Sequence, residues 1–258
     1  MKGTQRKTWQ TLFMVLPAIM LCVLFCKTDV MAATKNHTMK AGTTYNINNT
    51  NYDTTTFHKI TVPSTGRIKL TGWAKDSADS SIKRTMYVRL YNSKKKALEG
   101  KYISGFGSVN SYTSYYAVKK GVYYVKVSDY KNYRIKYTFT KVTDKSGSTK
   151  AKALNMKYNT KYMGVLTAGE KGTTADWYKF KLTKNQKFSL YYGIKANDNI
   201  RIQVYPESGT ILNSYRYHYR IDSSMKTNGV FKAGTYYVKV SRQGNDKSTN
   251  GYYYLRWK

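Results

Sequence analysis

Cysteine is almost absent from this chain, and its few cysteines lie near the N-terminus. The 258 residues include two, Cys22 and Cys26. If the chain is cleaved after Ala33, the mature protein contains none, which excludes disulfides, thiol nucleophiles and cysteine metal sites. Exported eukaryotic proteins of this size often carry disulfides. An exported chain without cysteine is instead typical of bacteria, and the Lys-, Tyr-, Thr- and Asn-rich composition indicates a Gram-positive origin.

Long hydrophobic runs are also missing, apart from one short stretch at the N-terminus. Residues 12–25 are apolar, but these 14 residues are fewer than the ~20 that a transmembrane helix needs. Basic residues precede the run, and residues 30–33 (VMAA) suit cleavage, so residues 1–33 are predicted to be a secretory signal peptide. An uncleaved anchor is the alternative, whereas a lipoprotein is disfavoured because Phe25 precedes Cys26. We expect a secreted protein, extracellular or associated with the cell wall, with no membrane span in its mature form.

Catalytic motifs are missing as well. The three histidines, His37, His58 and His218, do not form a His-Glu-x-x-His pair, and the chain has no Gly-x-Ser-x-Gly elbow. Residues 164–171 approach a phosphate-binding loop, but Glu170 stands where lysine is required. Nothing singles out two carboxylates as a glycosidase pair. The sequence therefore predicts a protein that is not an enzyme and has no cofactor.

A metal site is not expected either. The oxygen-rich clusters, residues 76–79 (DSAD) and 197–199 (NDN), lack the spacing of a calcium-binding loop. A strongly positive protein would also weaken a cation site. Asp176 and Asp198 more often cap strand ends and turns.

Acidic residues are scarce, and this scarcity leaves a large positive charge. The chain has 45 basic and 13 acidic residues, and removing residues 1–33 leaves 41 − 12 = +29 on 225 residues. Such a charge attracts polyanions, and candidates are teichoic acid, anionic phospholipid, acidic host glycans and, non-specifically, DNA. The mature chain has 32 Lys and 9 Arg, which favours diffuse attraction over bidentate recognition. A solubilising charge without a fixed partner is the alternative.

What the chain does contain is a long internal repeat. Residues 234–241 (GTYYVKVS) repeat residues 121–128 (GVYYVKVS) at a distance of 113 residues, too long for a solenoid and typical of a duplicated domain. We therefore predict two modules: module one, residues 34–142, and module two, residues 153–258. The polar segment 143–152 between them is predicted to be a flexible linker.

Both modules show apolar–polar alternation at a period of two, which predicts half-buried strands. Tyr236, Val238 and Val240 are expected to face inward, with Tyr237 and Lys239 outward. Other inward sets match between the modules: His58, Ile60 and Val62 with Tyr178, Phe180 and Leu182; Ile68 and Leu70 with Phe188 and Leu190; Met86, Val88 and Leu90 with Ile200, Ile202 and Val204; and Tyr133, Ile135 and Tyr137 with Tyr253, Leu255 and Trp257. The pattern predicts an all-β protein of two tandem antiparallel β-sandwiches.

Module two resembles the bacterial pre-peptidase C-terminal domain. The similarity lies in residues 176–182 (DWYKFKL), 198–205 (DNIRIQVY), 233–240 (AGTYYVKV) and 251–255 (GYYYL). Module one matches more loosely, with Thr56 and Lys120 in place of Asp176 and Ala233. The resemblance implies a jelly-roll-like sandwich, similar in fold to clostridial collagen-binding domains. It also implies a non-catalytic role beside secreted peptidases, in targeting, substrate binding or stabilisation.

One group of residues in module two is a candidate ligand site. Arg216, His218 and Arg220 alternate along one predicted strand, and module one has no such row. An outward set adds aromatic rings among cations, since rings stack on sugars or bases and cations hold anionic groups: Trp177, Lys179, Tyr191, Arg201, Tyr205, Tyr237 and Lys239. The alternative is a set of ordinary cross-strand pairs on an exposed sheet, and two sheets could divide the set.

These observations favour a secreted bacterial binding protein that recognises an anionic polymer, such as teichoic acid or an acidic glycan, at the cell wall or in the extracellular matrix. The alternative is an accessory, targeting or structural module of an extracellular peptidase system. Its partner would then be an extracellular protein substrate or a peptidase on another chain.

Overall fold

The structure is a computed structural model that describes residues 34–50, 54–74, 86–98, 103–104, 111–128, 130–208, 212–226 and 229–258, with side chains except at 74, 103–104, 111–112 and 213–220. The predicted signal peptide and the cluster at residues 76–79 lie outside the described residues. The described residues form strands and one 3-10 turn, Gln243–Asn245, which confirms the predicted all-β class. Within them, no helix has the length and apolar character needed to cross a membrane.

Module one contains nine strands in two sheets, which pack face to face around a shared core. The strands are β1 Thr34–Thr38, β2 Thr44–Asn48, β3 Thr55–Val62, β4 Gly66–Ala74, β5 Tyr87–Asn92, β6 Ile103–Ser104, β7 Ser111–Val118, β8 Gly121–Ser128 and β9 Asn132–Lys141. One sheet has the order β1-β3-β8-β5-β6 and the other β2-β9-β4-β7. The described pairs are antiparallel except β1 with β3, which run parallel at the sheet edge.

Module two has the same strand order, but one long strand takes part in both of its layers. The strands are β10 Leu154–Asn155, β11 Tyr162–Leu166, β12 Ala175–Leu182, β13 Ser189–Pro206, β14 Leu212–Lys226, β15 Gly234–Arg242 and β16 Gly251–Trp257. The first half of β13 pairs with β16 and the second half with β15, so the hydrogen-bonded order is β10-β12-β15-β13-β16-β11. β14 follows β13 along both halves, with a register shift between Lys195 and Ile200.

The registers place aligned residues of the two modules at matching positions. Val88 pairs with Val127 in module one, and Ile202 pairs with Val240 in module two. The inward residues predicted from the alternation form two cores, one in each module. Tyr178, for example, is fully buried, and so is its counterpart His58. Burial of one apolar face on each strand explains why the sequence alternates as it does.

The segment predicted to be a flexible linker is attached to module two. Gly147 exchanges backbone hydrogen bonds with Trp177 on the edge of β12, at 2.8 and 3.0 Å. Asp144 accepts the N–H groups of Ser146 and Val165, each at 2.8 Å. In a flexible linker these backbone and carboxylate groups would bond to water instead. The segment is therefore held against module two.

The two modules meet at a joint on one edge of module one. Ala117 of β7 donates its N–H to Oδ1 of Asn250 at 3.0 Å and accepts from the N–H of Ala168 at 2.8 Å. Ala117 also packs in a small apolar cluster with Val142, Val165 and Tyr252. The joint therefore provides hydrogen-bond partners for backbone groups of β7 that do not pair with β4. The strands in contact at the joint are β7, the first half of β13 and β16.

Candidate ligand-binding face

Six of the predicted aromatic and basic residues of module two meet on one outer sheet surface. Two rows cross β12, β15 and the second half of β13: Trp177, Lys239 and Gln203 in the first, and Lys179, Tyr237 and Tyr205 in the second. Arg201 lies two residues before Gln203 on the same side. The alternate residues of these strands point into the core, so the rows lie on the outer side of the sheet, where Gln203 is buried by its neighbours. We call these seven residues the module-two face.

Aromatic rings and ammonium groups are in contact on this face. The rings of Trp177 and Tyr205 lie 5.7 Å apart with a tilt of 38°. Nζ of Lys239 lies 5.5 Å from the centroid of Trp177, and Nζ of Lys150 lies 4.7 Å from that of Tyr237. Lys150 belongs to the predicted linker, and its place here was not foreseen. The face therefore offers half-exposed flat rings bordered by positive charge.

Tyr191 does not belong to this face. It lies in the first half of β13, in the other layer of the sandwich, opposite Arg256 of β16. Its ring is approached by the guanidinium of Arg256 at 5.2 Å and by Nζ of Lys258 at 5.5 Å. The predicted set is thus divided between two sheets because β13 crosses from one layer to the other.

The row of Arg216, His218 and Arg220 lies on β14, at the edge of both layers. The backbone of Arg216 pairs with Ile202, that of His218 with Ile200, and that of Arg220 with Lys195. Their side chains lie outside the described part of the structure, so a role for this row stays a prediction.

A buried polar group that sequence reasoning missed lies beneath the joint. The hydroxyl of Tyr253 donates to Oδ2 of Asp176 at 2.6 Å and lies 3.0 Å from the hydroxyl of Tyr178. Burial, and then the nearby carboxylate of Asp144, raise the pKa of Asp176 to about 7. Asp176 is thus an interior group rather than the turn cap that the sequence suggested. Module one has Thr56, Tyr133 and His58 at the positions of Asp176, Tyr253 and Tyr178. These polar residues at aligned inward positions were the sequence signal for a buried polar group.

Asp176 also borders a cleft of about 420 Å³ between the modules, which Asp144 and Glu170 line as well. A perturbed acid in a cleft can indicate catalysis. Here the carboxylates are occupied by structural bonds, because Asp144 accepts two backbone N–H groups and Glu170 accepts from the buried Arg242 at 3.2 Å. These bonds tie the two carboxylates to the backbone and to Arg242 at the joint.

A neighbouring cleft of about 450 Å³ is basic, with Arg67, Lys141, Lys145 and Lys161 in its lining. Two of these cations lie over tyrosine rings of β16: Arg67 over Tyr252 at 4.2 Å and Lys161 over Tyr254 at 3.9 Å. The positive charge of the protein therefore extends into the joint.

Metal ligands do not gather in the described part of the chain, where no group of three or more His, Asp or Glu side chains could hold an ion. The oxygen-rich residues 197–199 lie inside β13. Oδ1 of Asn197 accepts the N–H of Asn250 at 2.7 Å, and Oδ1 of Asp198 accepts that of Asn199 at 2.8 Å. These oxygens serve the backbone of the bend in β13.

Neither a protein-family model nor a curated protein matches the sequence. Solved structures with a similar arrangement include the pre-peptidase C-terminal domain of a collagenase from Bacillus anthracis, with a TM-score of 0.31 and 17% identity over 42% of this chain and 96% of that chain. The tandem CBM51 modules of a family 98 glycoside hydrolase from Streptococcus pneumoniae give 0.26 and 10%, over 78% and 81%. A fucolectin from striped bass (Morone saxatilis) gives 0.25 and 11%, over 84% of each chain. At TM-scores this low, function has to be inferred from the residues of this chain.

Proposed function

We propose that this protein is a secreted, non-catalytic binding protein that attaches to an anionic glycan through the module-two face. The observation that carries the proposal is the meeting of Trp177, Tyr205 and Tyr237 with Lys179 and Lys239 on three adjacent strands. The net charge of the mature chain, 41 − 12 = +29, supports an anionic partner, because it raises the local concentration of any polyanion.

The two kinds of side chain suit two parts of one ligand. A sugar ring presents a flat apolar surface of C–H groups, which stacks on the rings of Trp177 and Tyr205. Carboxylate or sulfate groups on the same chain accept charge-assisted hydrogen bonds from lysine ammonium groups. A polyol phosphate of the teichoic acid type offers the charge but no ring in its backbone. The aromatic residues therefore favour an acidic glycan over teichoic acid.

Binding to a panel of polymers at two salt concentrations tests this function. The panel is heparin, hyaluronan, wall teichoic acid and uncharged dextran. We expect heparin or hyaluronan to bind most tightly and to lose roughly 10-fold or more in affinity between about 50 and 200 mM salt, because several ionic contacts are screened. Equal binding of dextran, or an affinity that does not change with salt, would contradict the proposal.

A further inference from the structure

The outer surface of module one repeats the module-two face position by position. Its rows cross β3, β8 and β5: Phe57, Lys126 and Arg89 in the first, and Lys59, Tyr124 and Tyr91 in the second. Five of the six positions carry the same kind of side chain as in module two, in the same order. The sixth has Arg89 where module two has Gln203. We call these six residues, with Lys95, the module-one face.

The rings of the module-one face are also in contact with each other. Phe57 lies 5.7 Å from Tyr91 and 6.3 Å from Tyr124, in edge-to-face arrangements. Nζ of Lys95 lies 4.4 Å from the centroid of Phe57 and 5.4 Å from that of Tyr124. The ammonium group thus occupies the place that Lys150 and Lys239 take together in module two.

Lys95 is held in position by its turn. Oδ1 of Asn92 accepts the N–H groups of Lys94 and Lys96 at 3.0 and 2.9 Å, and Lys95 between them has a φ of +54°, which is uncommon for a residue other than glycine. Its Nζ donates to Oδ1 of Asn36 at 3.0 Å. A fixed cation loses less conformational freedom when it binds an anion.

Packing does not require aromatic residues at these positions. The core of module one is built by the alternate residues of the same strands, such as Ile60, Val88 and Val125. In the described part of the chain, the joint uses β7, β16 and the first half of β13, whereas the faces lie on β3, β8, β5, β12, β15 and the second half of β13.

We propose that the module-one face is a second binding site for the same anionic glycan, so that one protein molecule holds two segments of the polymer. This inference rests on the proposed function of module two. Phe57, Tyr91 and Tyr124 provide the stacking surface. Lys59, Lys126 and Arg89 bind carboxylate or sulfate groups. The guanidinium of Arg89 presents a planar fork of donors, so this site favours anionic groups more strongly than its counterpart with Gln203.

Two sites on one molecule change the affinity for a long chain. Once one face is bound, the other face is tethered to the same polymer through the joint, and the second contact becomes intramolecular for a chain long enough to reach both. Such linkage raises the overall affinity by roughly 10²- to 10⁴-fold over one site. A short oligosaccharide that occupies one face at a time reports each site separately.

Calorimetric titration with a heparin tetrasaccharide counts the sites. We expect two bound per wild-type molecule, one for the module-one variant Phe57→Ala/Tyr124→Ala, and one for the module-two variant Trp177→Ala/Tyr237→Ala. With long heparin chains, either variant is expected to bind ~10²-fold more weakly than the wild type. Circular dichroism and the melting temperature confirm that each variant is folded.

A second variant, Lys59→Ser/Lys126→Ser, keeps the rings and removes only charge. Its control, Lys69→Ser/Lys136→Ser, makes the same charge change on the other sheet of module one. We expect only the first to lose the module-one site. If the wild type binds one tetrasaccharide and the module-two variant none, the second site is wrong and the proposed function stands. If the two lysine variants lose equal affinity, attraction is diffuse and the second site is wrong. If the wild type binds no heparin, the proposed function fails as well.

Discussion

The hydroxyl of Tyr253 donates a hydrogen bond of 2.6 Å to Oδ2 of Asp176 inside module two. The equivalent site in module one has a histidine at its centre, where Nε2 of His58 lies 2.7 Å from the hydroxyl of Tyr133. Two copies of one fold thus bury titratable groups of opposite kind at one place, an acid and a base. Because burial disfavours the charged form of each, the two modules should respond oppositely to pH.

Replacing Asp176 with asparagine should flatten the pH dependence of module two. Asp176 holds its proton up to about pH 7 in the fold, whereas an unfolded aspartate loses it near ~3.9. The folded state therefore binds more protons in between, and stability falls as pH rises from about 4 to about 7. The fall should be roughly 1 to 4 kcal/mol, since one pKa unit corresponds to ~1.4 kcal/mol. Calorimetric melting of wild type and Asp176→Asn at several pH values checks this, and parallel curves would contradict it.

His58→Gln should remove an acid sensitivity of module one. Burial, and then the nearby His37, lower the pKa of His58 to about 3, and unfolded histidine titrates near ~6.5. The unfolded state therefore binds more protons below that value, so module one loses roughly 2 kcal/mol between about pH 6.5 and 5. The His58→Gln variant should lose much less stability over this pH range. The acid limb is therefore read in the Asp176→Asn protein, where the opposing limb of module two is removed. Melting of Asp176→Asn with and without His58→Gln measures it, and an Asp176→Asn protein as stable at pH 5 as at 7 refutes the interpretation.

The alternation along the chain was enough to predict the strand faces and the correspondence of the modules. Val88 and Ile202, for example, occupy matching registers as their offset of 114 residues requires. It could not show that β13 continues through residues 197–199, because Asn-Asp-Asn is typical of a turn. Bonds to a distant loop, such as that between Asn197 and Asn250, help to keep these residues in the strand. Because β13 crosses from one layer to the other at these residues, Tyr191 and Trp177 lie on different sheets.

The burial of Arg242 could not be predicted from the sequence either, because Arg242 directly follows the repeated segment 234–241 and resembles a surface residue. Its side chain is 1% exposed. It donates to the carbonyls of Thr249 and Thr167 at 2.7 and 2.8 Å and to Oε2 of Glu170 at 3.2 Å. These acceptors come from separate loops near the joint, so local sequence patterns carry no sign of the contact.

Arg242→Met should destabilise module two strongly. The variant leaves the buried carbonyls of Thr249 and Thr167 without their donor, and each buried acceptor left unpaired costs about 1 to 3 kcal/mol. Glu170 loses one partner but keeps Lys119 and the N–H of Thr167. The exposed change Lys247→Met removes the same charge and should cost little. Urea unfolding of both variants measures the difference, and similar midpoints would show that Arg242 is dispensable.

The row on β14 can be tested in the same binding assays. Arg216→Ser/Arg220→Ser should weaken heparin binding, and His218 should strengthen it as pH falls from about 7.5 to 5.5, because imidazole gains a proton near pH ~6.5. Lys69→Ser/Lys136→Ser is the charge-matched control. If the arginine variant binds like the wild type at both pH values, the row is not part of a site.

The central claim is that rings and charge act together on the module-two face, and one comparison tests it most directly. Affinity for heparin is measured for wild type, Trp177→Ala/Tyr237→Ala and Lys69→Ser/Lys136→Ser at about 50 and 200 mM salt. The aromatic variant loses stacking contacts, each worth ~1–3 kcal/mol, so we expect its affinity for heparin to fall roughly 10-fold or more. Because its net charge is unchanged, the fall should be similar at both salt concentrations. The lysine variant should lose less, and mostly at low salt. An aromatic variant that binds as tightly as the wild type would contradict the account.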